Sequence, residues 1–226
     1  MKRNFAFLLI GFILLSCSAR KERYRIAGSI DGYEGNNIIL ACSPDGVSLK
    51  EISRSPVSNG KFAFDGDIGN SGIAYICYNG NGHEACTMFF LEKGETDIRI
   101  DSMGCRVTGT PLNNLSNTID DSIRSYIGRL ENIEEQYYSD TLSDDELERL
   151  GTVGFNLQEG LVGYLRGVIK ENIGNLLGLY MLVVYNDFYT PKELSELIAQ
   201  IPPSSIDPGN NPLYDIIIGI AQERKE

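Results

Sequence analysis

The stretch GCRVTGTPLNNLSNTID, residues 104–120, contains the point at which the apolar pattern of this chain changes. Cys105–Thr108 is predicted to be the last of a series of short strands, and Thr110-Pro111 ends that series. From Leu115 onwards apolar residues recur at three- and four-residue steps, which predicts a helix to about Tyr138. The chain therefore divides here into a β half and a helical half.

The β half, residues 24–109, contains eight short apolar segments separated by turns rich in Gly and Asn. Segments of this length and spacing predict an antiparallel β-sandwich or barrel. Phe62 and Phe64 share one face of their strand and are expected to fill its core. The predicted strands are Tyr24–Ile30, Asn37–Cys42, Leu49–Ser53, Lys61–Asp65, Ile73–Tyr78, Cys86–Leu91, Thr96–Ile100 and Cys105–Thr108.

The helical half, residues 110–226, carries recognisable helix starts, so the fold class is α+β. Ser143 followed by Glu146 is a capping box, and Thr190-Pro191 places proline at a first helical position. Residues 176–185 are apolar all round and predict a buried central helix. Three glycines of the second helix, Gly160, Gly163 and Gly167, are expected to let another helix approach closely. A last helix is predicted over residues 213–224.

Composition limits the function classes. The 226 residues carry 20 Lys and Arg against 31 Asp and Glu, a net charge of −11, with a single His. Such an acidic chain is not expected to bind nucleic acid, which requires a concentrated basic face. One His without paired Cys clusters argues against most metal sites and catalytic triads. We expect no catalytic, cofactor-binding or metal-binding residue.

The N-terminus is predicted to be a lipoprotein signal. Lys2 and Arg3 precede an apolar run, Phe5–Leu15, which is too short to cross a bilayer as a helix. The run ends in Leu14-Leu15-Ser16-Cys17, which resembles a bacterial lipobox. The resemblance implies removal of residues 1–16 and acylation of Cys17, including palmitate, in a Gram-negative envelope. An ordinary secretory signal or a short membrane anchor are the alternatives.

Residues 17–23 are predicted to form the acylated cysteine and a short basic tether. Ser18 in place of Asp after the cysteine favours the outer membrane by resemblance to lipoprotein sorting rules. The tether and the first strand carry a basic cluster, namely Arg20, Lys21, Arg23 and Arg25. Beside anionic headgroups each charge would add roughly 1 kcal/mol to membrane binding. A solvated tether explains the cluster equally well.

Four further cysteines lie in predicted strands: Cys42, Cys77, Cys86 and Cys105. An even number in an exported chain suggests disulfides. With Asn81-Gly82 as a two-residue hairpin turn, Cys77 lies opposite Cys86 at a non-hydrogen-bonded position, where Cα atoms are ~4.5 Å apart. Asn79-Gly80 as the turn would instead place Cys77 opposite Gly82. The other alternative is that all four cysteines are buried, unbonded apolar residues.

Three other patterns are better explained by structure than by function. Residues 80–85 fit a dinucleotide fingerprint only formally, because they lead into a strand rather than a helix. Residues 65–69 lack the ligand spacing of a calcium loop, and are predicted to be a surface turn. Five tyrosines of the helical half could line a ligand cleft, but core filling and rim contacts explain them better: Tyr137, Tyr138, Tyr180, Tyr185 and Tyr189.

The β half resembles the domain of unknown function 4369 family. The resemblance rests on Tyr24-Arg-Ile-Ala-Gly28, Val57-Ser-Asn-Gly-Lys-Phe-Ala-Phe-Asp-Gly66, Phe89-Phe-Leu-Glu-Lys-Gly94 and Val107-Thr-Gly-Thr-Pro-Leu-Asn113, and covers about residues 24–120. In that family the module typically follows a lipoprotein signal and precedes a helical stretch and a thioredoxin-like domain. Here residues 120–226 look like the helical stretch, and the sequence stops where the thioredoxin-like domain would begin. The resemblance supplies no catalytic residue.

These observations predict a membrane-anchored envelope lipoprotein that acts as a non-catalytic binding module with a protein partner. The alternative is an accessory component of a thiol–disulfide exchange system that works with a thioredoxin-like partner. A third hypothesis, a small-ligand or glycan binder, rests only on Tyr75 and Tyr78 of the β half.

Overall fold

The computed structural model describes residues 22–43, 48–68, 72–80, 83–138, 142–203 and 211–224. Eight strands form two four-stranded sheets that pack face to face, and the helices follow them in the chain. The strands are β1 Arg23–Ile30, β2 Asn37–Cys42, β3 Lys50–Pro56, β4 Lys61–Asp67, β5 Gly72–Gly80, β6 His83–Leu91, β7 Gly94–Asp101 and β8 Gly104–Thr108. The predicted α+β fold is confirmed, and its β half is a sandwich.

Period-two alternation fixes which face of each strand is buried. In β4, Phe62 and Phe64 are about 5% exposed or less, and their ring centroids lie 6.0 Å apart, edge to face. In β1, Tyr24 and Ile26 point to the same interior. The prediction that the two phenylalanines fill the core is confirmed. The residues between them, Ala63 in β4 and Arg25 in β1, point to solvent.

The strand order is β4-β1-β7-β8 in the first sheet and β3-β2-β5-β6 in the second. Sequence spacing predicts antiparallel pairing throughout, and this is wrong for one pair. Strands β1 and β7 are parallel, with Tyr24 beside Gly94 and Ile30 beside Ile100. A parallel pair needs a long crossover connection, and here the chain from β2 to β6 provides it. Strands β2, β3, β5 and β6 build the second sheet, and β4 pairs with β1 in the first.

Five α-helices and one short 3-10 helix follow the sandwich. They are α1 Pro111–Tyr137, α2 Asp144–Glu171, α3 Leu176–Val184, the 3-10 helix Asn186–Phe188, α4 Pro191–Ile198 and α5 Pro212–Glu223. The predicted starts are confirmed: the Ser143 amide donates to Glu146 at 2.9 Å, and the Thr190 amide donates to Glu193 at 2.8 Å. Helix α3 is the buried centre that its composition predicts, with Leu179 and Leu182 fully buried.

The helical half packs on the outer face of the second sheet. Phe90 of β6 is 1% exposed and belongs to the same apolar cluster as Leu179 and Leu182 of α3. Its ring lies 6.1 Å from that of Tyr180, edge to face. The sandwich and the helices therefore share core residues at this face.

The start of α1 is bonded to the free edge of the second sheet. The main chain of Phe90 points away from β5, because Ile73 and Phe90 form a non-hydrogen-bonded pair by their position in the hairpin register. The buried Asn113 side chain takes the place of a further strand. Its Oδ1 accepts from the Phe90 amide at 2.9 Å, and its Nδ2 donates to the Phe90 carbonyl and to Thr110 Oγ1, each at 2.7 Å.

The glycines of α2 only partly follow the expectation that a second helix approaches them. A Cβ added at Gly160 would lie 3.3 Å from the Tyr126 ring of α1, so this glycine does accommodate a neighbouring helix. At Gly163 and Gly167 an added Cβ would meet nothing within 4 Å. For these two positions the prediction is wrong within the described residues.

Candidate functional site

The β5–β6 hairpin carries the predicted disulfide position. Gly80 pairs with His83 and Cys77 with Cys86, which is the register expected from a two-residue turn. The turn residues Asn81 and Gly82 lie outside the described residues. Cys77 and Cys86 are joined by a disulfide with Cα atoms 4.1 Å apart. Cys77 is 3% exposed, whereas Cys86 is open to solvent.

The hairpin lies at the end of the sandwich opposite to the start of β1. Strand β6 leads into β7, whose Gly94 lies beside Tyr24 of β1, so the β5–β6 turn is at the other end. Eight residues of β1 separate the two ends by about 25 Å. Any segment that enters at Arg23 is therefore remote from the disulfide.

A cavity of about 260 Å³ borders the disulfide. Tyr33 and Tyr78 meet there edge to face, with ring centroids 5.9 Å apart. The Tyr33 hydroxyl donates to the Asn37 carbonyl at 2.8 Å, which fixes the ring. Tyr75 lies on the opposite face of β5, because neighbouring residues of a strand alternate in direction. Tyr75 and Tyr78 therefore do not form one aromatic surface.

The other two cysteines are unbonded, and both are half-buried. Burial is the main cause that raises the pKa of the Cys105 thiol to about 11, and the charge of Asp101 adds to it. The thiolate is the reactive form, so at pH 7 only about one Cys105 in 10⁴ is reactive. This thiol is poorly suited to exchange chemistry.

Alkylation is expected to report this environment. At pH 8 in the folded protein, iodoacetamide should modify Cys105 about 100-fold more slowly than in urea, because unfolding returns the pKa towards 9.0. The rate at Cys105 can be followed by mass spectrometry of its own peptide, separately from Cys42. Equal rates in the folded and unfolded protein would contradict the burial of this thiol.

The disulfide is expected to stabilise the β half. Cys77 and Cys86 are nine residues apart. A disulfide that closes a loop of this size lowers the entropy of the unfolded chain and raises the free energy of unfolding by about 2–3 kcal/mol. The double variant Cys77→Ala/Cys86→Ala should lose that amount of unfolding free energy in urea denaturation. Cys42→Ala, which breaks no bond, is the matched control. A loss no larger than that of the control would contradict a stabilising role.

The two basic residues at the start of β1 already have acidic partners. Arg23 lies 2.7 Å from Asp65, and Arg25 lies 3.5 Å from Glu95. For Arg23 and Arg25, these contacts favour a solvated surface over contact with lipid headgroups. Arg20, Lys21 and the proposed acylation site Cys17 lie outside the described residues.

The five tyrosines of the helical half do not form one cleft. Tyr180 packs on Phe90 in the core, Tyr185 stacks on Phe188 at 5.6 Å, and the Arg166 guanidinium lies 4.8 Å from the centre of the Tyr189 ring. Tyr137 and Tyr138 lie apart from these, at the end of α1, with ring centroids 5.8 Å apart. Core filling and rim contacts describe Tyr180, Tyr185 and Tyr189, whereas Tyr137 and Tyr138 line a separate groove.

The end of the α1–α2 pair presents a groove of about 400 Å³ with both polar and apolar lining residues. We call it the tip groove and define it by its lining residues: Leu130, Ile133, Glu134 and Tyr137 of α1 and the following Tyr138, with Leu150, Gly151, Gly154, Phe155 and Gln158 of α2. Phe155 is 61% exposed and Tyr138 is 76% exposed. Large apolar side chains that remain this exposed are a feature that interaction surfaces share.

Sequence reasoning does not identify the tip groove. Phe155 lies near Gly151 and Gly154 in the sequence, where a phenylalanine next to small residues also fits a buried helix contact. In the sequence, Tyr137-Tyr138 ends the first predicted helix and Phe155 lies within the second, and this spacing does not indicate that their side chains line one groove.

Two further searches concern only the described residues. No three His, Cys, Asp or Glu side chains among them come together as a metal ion would require. None of the helices within those ranges is long and apolar enough to cross a membrane.

Comparison with known proteins identifies the β half. Residues 24–115 match the family described as domain of unknown function (DUF4369). The match spans all eight strands and the first residues of α1, so this region is a DUF4369 domain, as its motifs predict. No curated protein and no solved structure matches the chain.

Proposed function

We propose that this DUF4369 domain and the helices after it form a non-catalytic binding module, held on the bacterial cell envelope by a lipid on Cys17. The sandwich is the part next to the membrane, and the α1–α2 pair presents the surface for a protein partner. The observation that carries the proposal is the tip groove, with Phe155 and Tyr138 largely exposed.

The sequence supports the anchored position. Cys17 ends the lipobox, and only Ser18–Glu22 separate it from β1. Five residues span at most about 18 Å when fully extended. The start of β1 would then lie close to the membrane surface, and Ser18 favours the outer membrane.

Fractionation and co-purification test this proposal. Wild-type chain is expected in the outer-membrane fraction, with a partner recovered after cross-linking of native envelopes. Cys17→Ser should remove the chain from the outer-membrane fraction and reduce recovery of the partner. Phe155→Ala, which leaves Cys17 intact, should lose the partner without leaving the membrane. Unchanged fractionation of Cys17→Ser would contradict the anchor, and unchanged recovery with Phe155→Ala would contradict the binding surface.

The exposure of Cys86 favours a second candidate function, as an accessory component of an envelope thiol–disulfide exchange system. A thiolate of a thioredoxin-like partner would attack the open Cys86 Sγ. That step breaks the Cys77–Cys86 bond, releases the Cys77 thiolate and forms a mixed disulfide. The second thiol of the partner would then release the Cys86 thiolate, so that the partner becomes oxidised and this chain reduced.

A trapping experiment tests the second candidate. A reduced thioredoxin whose second active-site cysteine is replaced by serine should form a mixed disulfide through Cys86 in the folded protein. Cys42→Ser should leave the yield of this adduct unchanged. If reduction requires denaturation first, the exchange function is contradicted.

A further inference from the structure

The outer half of the α1–α2 pair is only two helices thick. The apolar residues of α1 that pack against the helical core end at Ile123, and those of α2 begin at Leu161. Beyond these points, among the residues that the structure describes, each helix has only the other to cover its apolar face. Helices in water owe most of their stability to such coverage, so this part of the pair presents an incompletely covered apolar surface.

The tip groove has the shape that a third helix needs. Leu130 and Ile133 on one side and Leu150 on the other form its apolar floor. A Cβ added at Gly151 would meet nothing within 4 Å, so there the backbone of α2 itself is open to a neighbour. Two antiparallel helices with a groove between them accept an amphipathic helix with apolar residues at positions i, i+3, i+4 and i+7.

The charge around the tip groove is strongly acidic. Residues 127–138 and 144–158 carry seven carboxylates against two guanidinium groups, those of Arg129 and Arg149, which gives a net charge of −5. Glu134 lines the groove and has no ion pair within the part of the chain that the structure describes. Its charge is available to a partner.

We propose that the tip groove binds a basic amphipathic helix of a partner protein. Leucine-like side chains of that helix lie in the groove against Phe155, and its Lys and Arg residues face Glu134 and the neighbouring acids. This inference rests on the proposed binding function and names the chemistry of the partner. A second copy of this chain is disfavoured as the occupant, because it would bring one acidic tip against another.

A designed peptide tests the proposal directly. The probe is a fluorescein-labelled peptide of 18 residues, with leucine at helical spacing and lysine elsewhere, and its twin carries glutamate in place of lysine. Binding to residues 17–226 with Cys17→Ser, which carry neither the lipid nor the apolar run Phe5–Leu15 and need no detergent, is followed by fluorescence anisotropy. We expect saturable binding of the lysine peptide and at least tenfold weaker binding of the glutamate twin. Raising the salt from 50 to 300 mM should weaken the lysine peptide further.

Matched variants separate the groove from general attraction between charges. Phe155→Ala and Gly151→Gln are each expected to weaken the lysine peptide at least fivefold, the first by removing an apolar contact and the second by filling the groove. Met103→Ala removes an exposed apolar side chain elsewhere, and Gly163→Gln changes an open glycine of the same helix outside the groove. Both controls should bind within twofold of the parent chain. Circular dichroism should show all four variants folded.

Four results would overturn the inference. Equal binding of the two peptides would contradict the charge complementarity. Equal binding to the parent chain and to Phe155→Ala and Gly151→Gln would show that the peptide does not bind in the groove. A dimer of the chain that Phe155→Ala dissociates, seen by light scattering, would identify a second copy as the occupant. If a partner cross-links at the groove through a segment that is not a basic helix, this inference fails while the proposed binding function stands.

Discussion

Replacing Asn113 by Ala is expected to lower the free energy of unfolding by about 2–4 kcal/mol. The change removes the partner of the Phe90 amide, at 2.9 Å, and of the Phe90 carbonyl, at 2.7 Å. Both groups are buried, and each unsatisfied buried polar group costs about 1–3 kcal/mol. Urea denaturation followed by circular dichroism measures the effect.

Asn132→Ala is the control for this prediction. Asn132 lies on the same helix, is exposed, and within the described part of the chain its side chain accepts a hydrogen bond only from Gln136, at 2.6 Å. A surface change of this kind should stay within about 0.5 kcal/mol. If Asn113→Ala has an equally small effect, the bond between α1 and the edge of the sheet does not hold the two halves together.

Gly109→Ala is expected to lower the free energy of unfolding by about 3–5 kcal/mol. Gly109 has a φ of 106°, where a side chain costs about 1–3 kcal/mol. A Cβ at this position would also lie 2.3 Å from the Glu95 carbonyl oxygen of β7, which is main chain and cannot rotate away. Since Gly109 lies between β8 and α1, relieving the clash requires the junction of the two halves to move.

Gly104→Ala isolates the backbone part of this effect. Gly104 has a φ of 122°, and an added Cβ there meets nothing within 4 Å. Its substitution should cost only about 1–2 kcal/mol. Denaturation midpoints of the two variants, measured in parallel, give the difference. A Gly109 variant no less stable than the Gly104 variant would show that the approach of Glu95 does not constrain the junction.

Local signals in the sequence predict most of the elements. Alternation places Phe62 and Phe64 in the core, and the cap residues Ser143 and Thr190 start the helices where predicted. The parallel pairing of β1 with β7 is not predicted, because it joins strands 70 residues apart and leaves no local trace. The bond from Asn113 to Phe90 is missed for the same reason, since an asparagine near a helix start is equally well explained by capping.

Of the candidate sites, the disulfide can be predicted from the sequence and the tip groove cannot. The position of Cys77 opposite Cys86 follows from counting residues outward from one turn, so this pairing can be predicted from the sequence alone. The tip groove depends on where the helical core ends along α1 and α2, which is set by the packing of α3 and α5. The glycine spacing predicts a second helix beside Gly163, but in the structure an added Cβ there meets nothing within 4 Å. The spacing does not reveal which face of the helix a neighbour covers.

Site-specific photo-cross-linking in intact cells tests the central claim most directly. Benzoylphenylalanine in place of Gln158 lies in the tip groove, and in place of the exposed Asp97 it lies on the outer face of the first sheet. The account predicts one discrete light-dependent adduct from position 158, which Phe155→Ala abolishes, and none from position 97. No adduct at position 158, or equal adducts at both positions, would contradict the claim that the α1–α2 tip binds a partner.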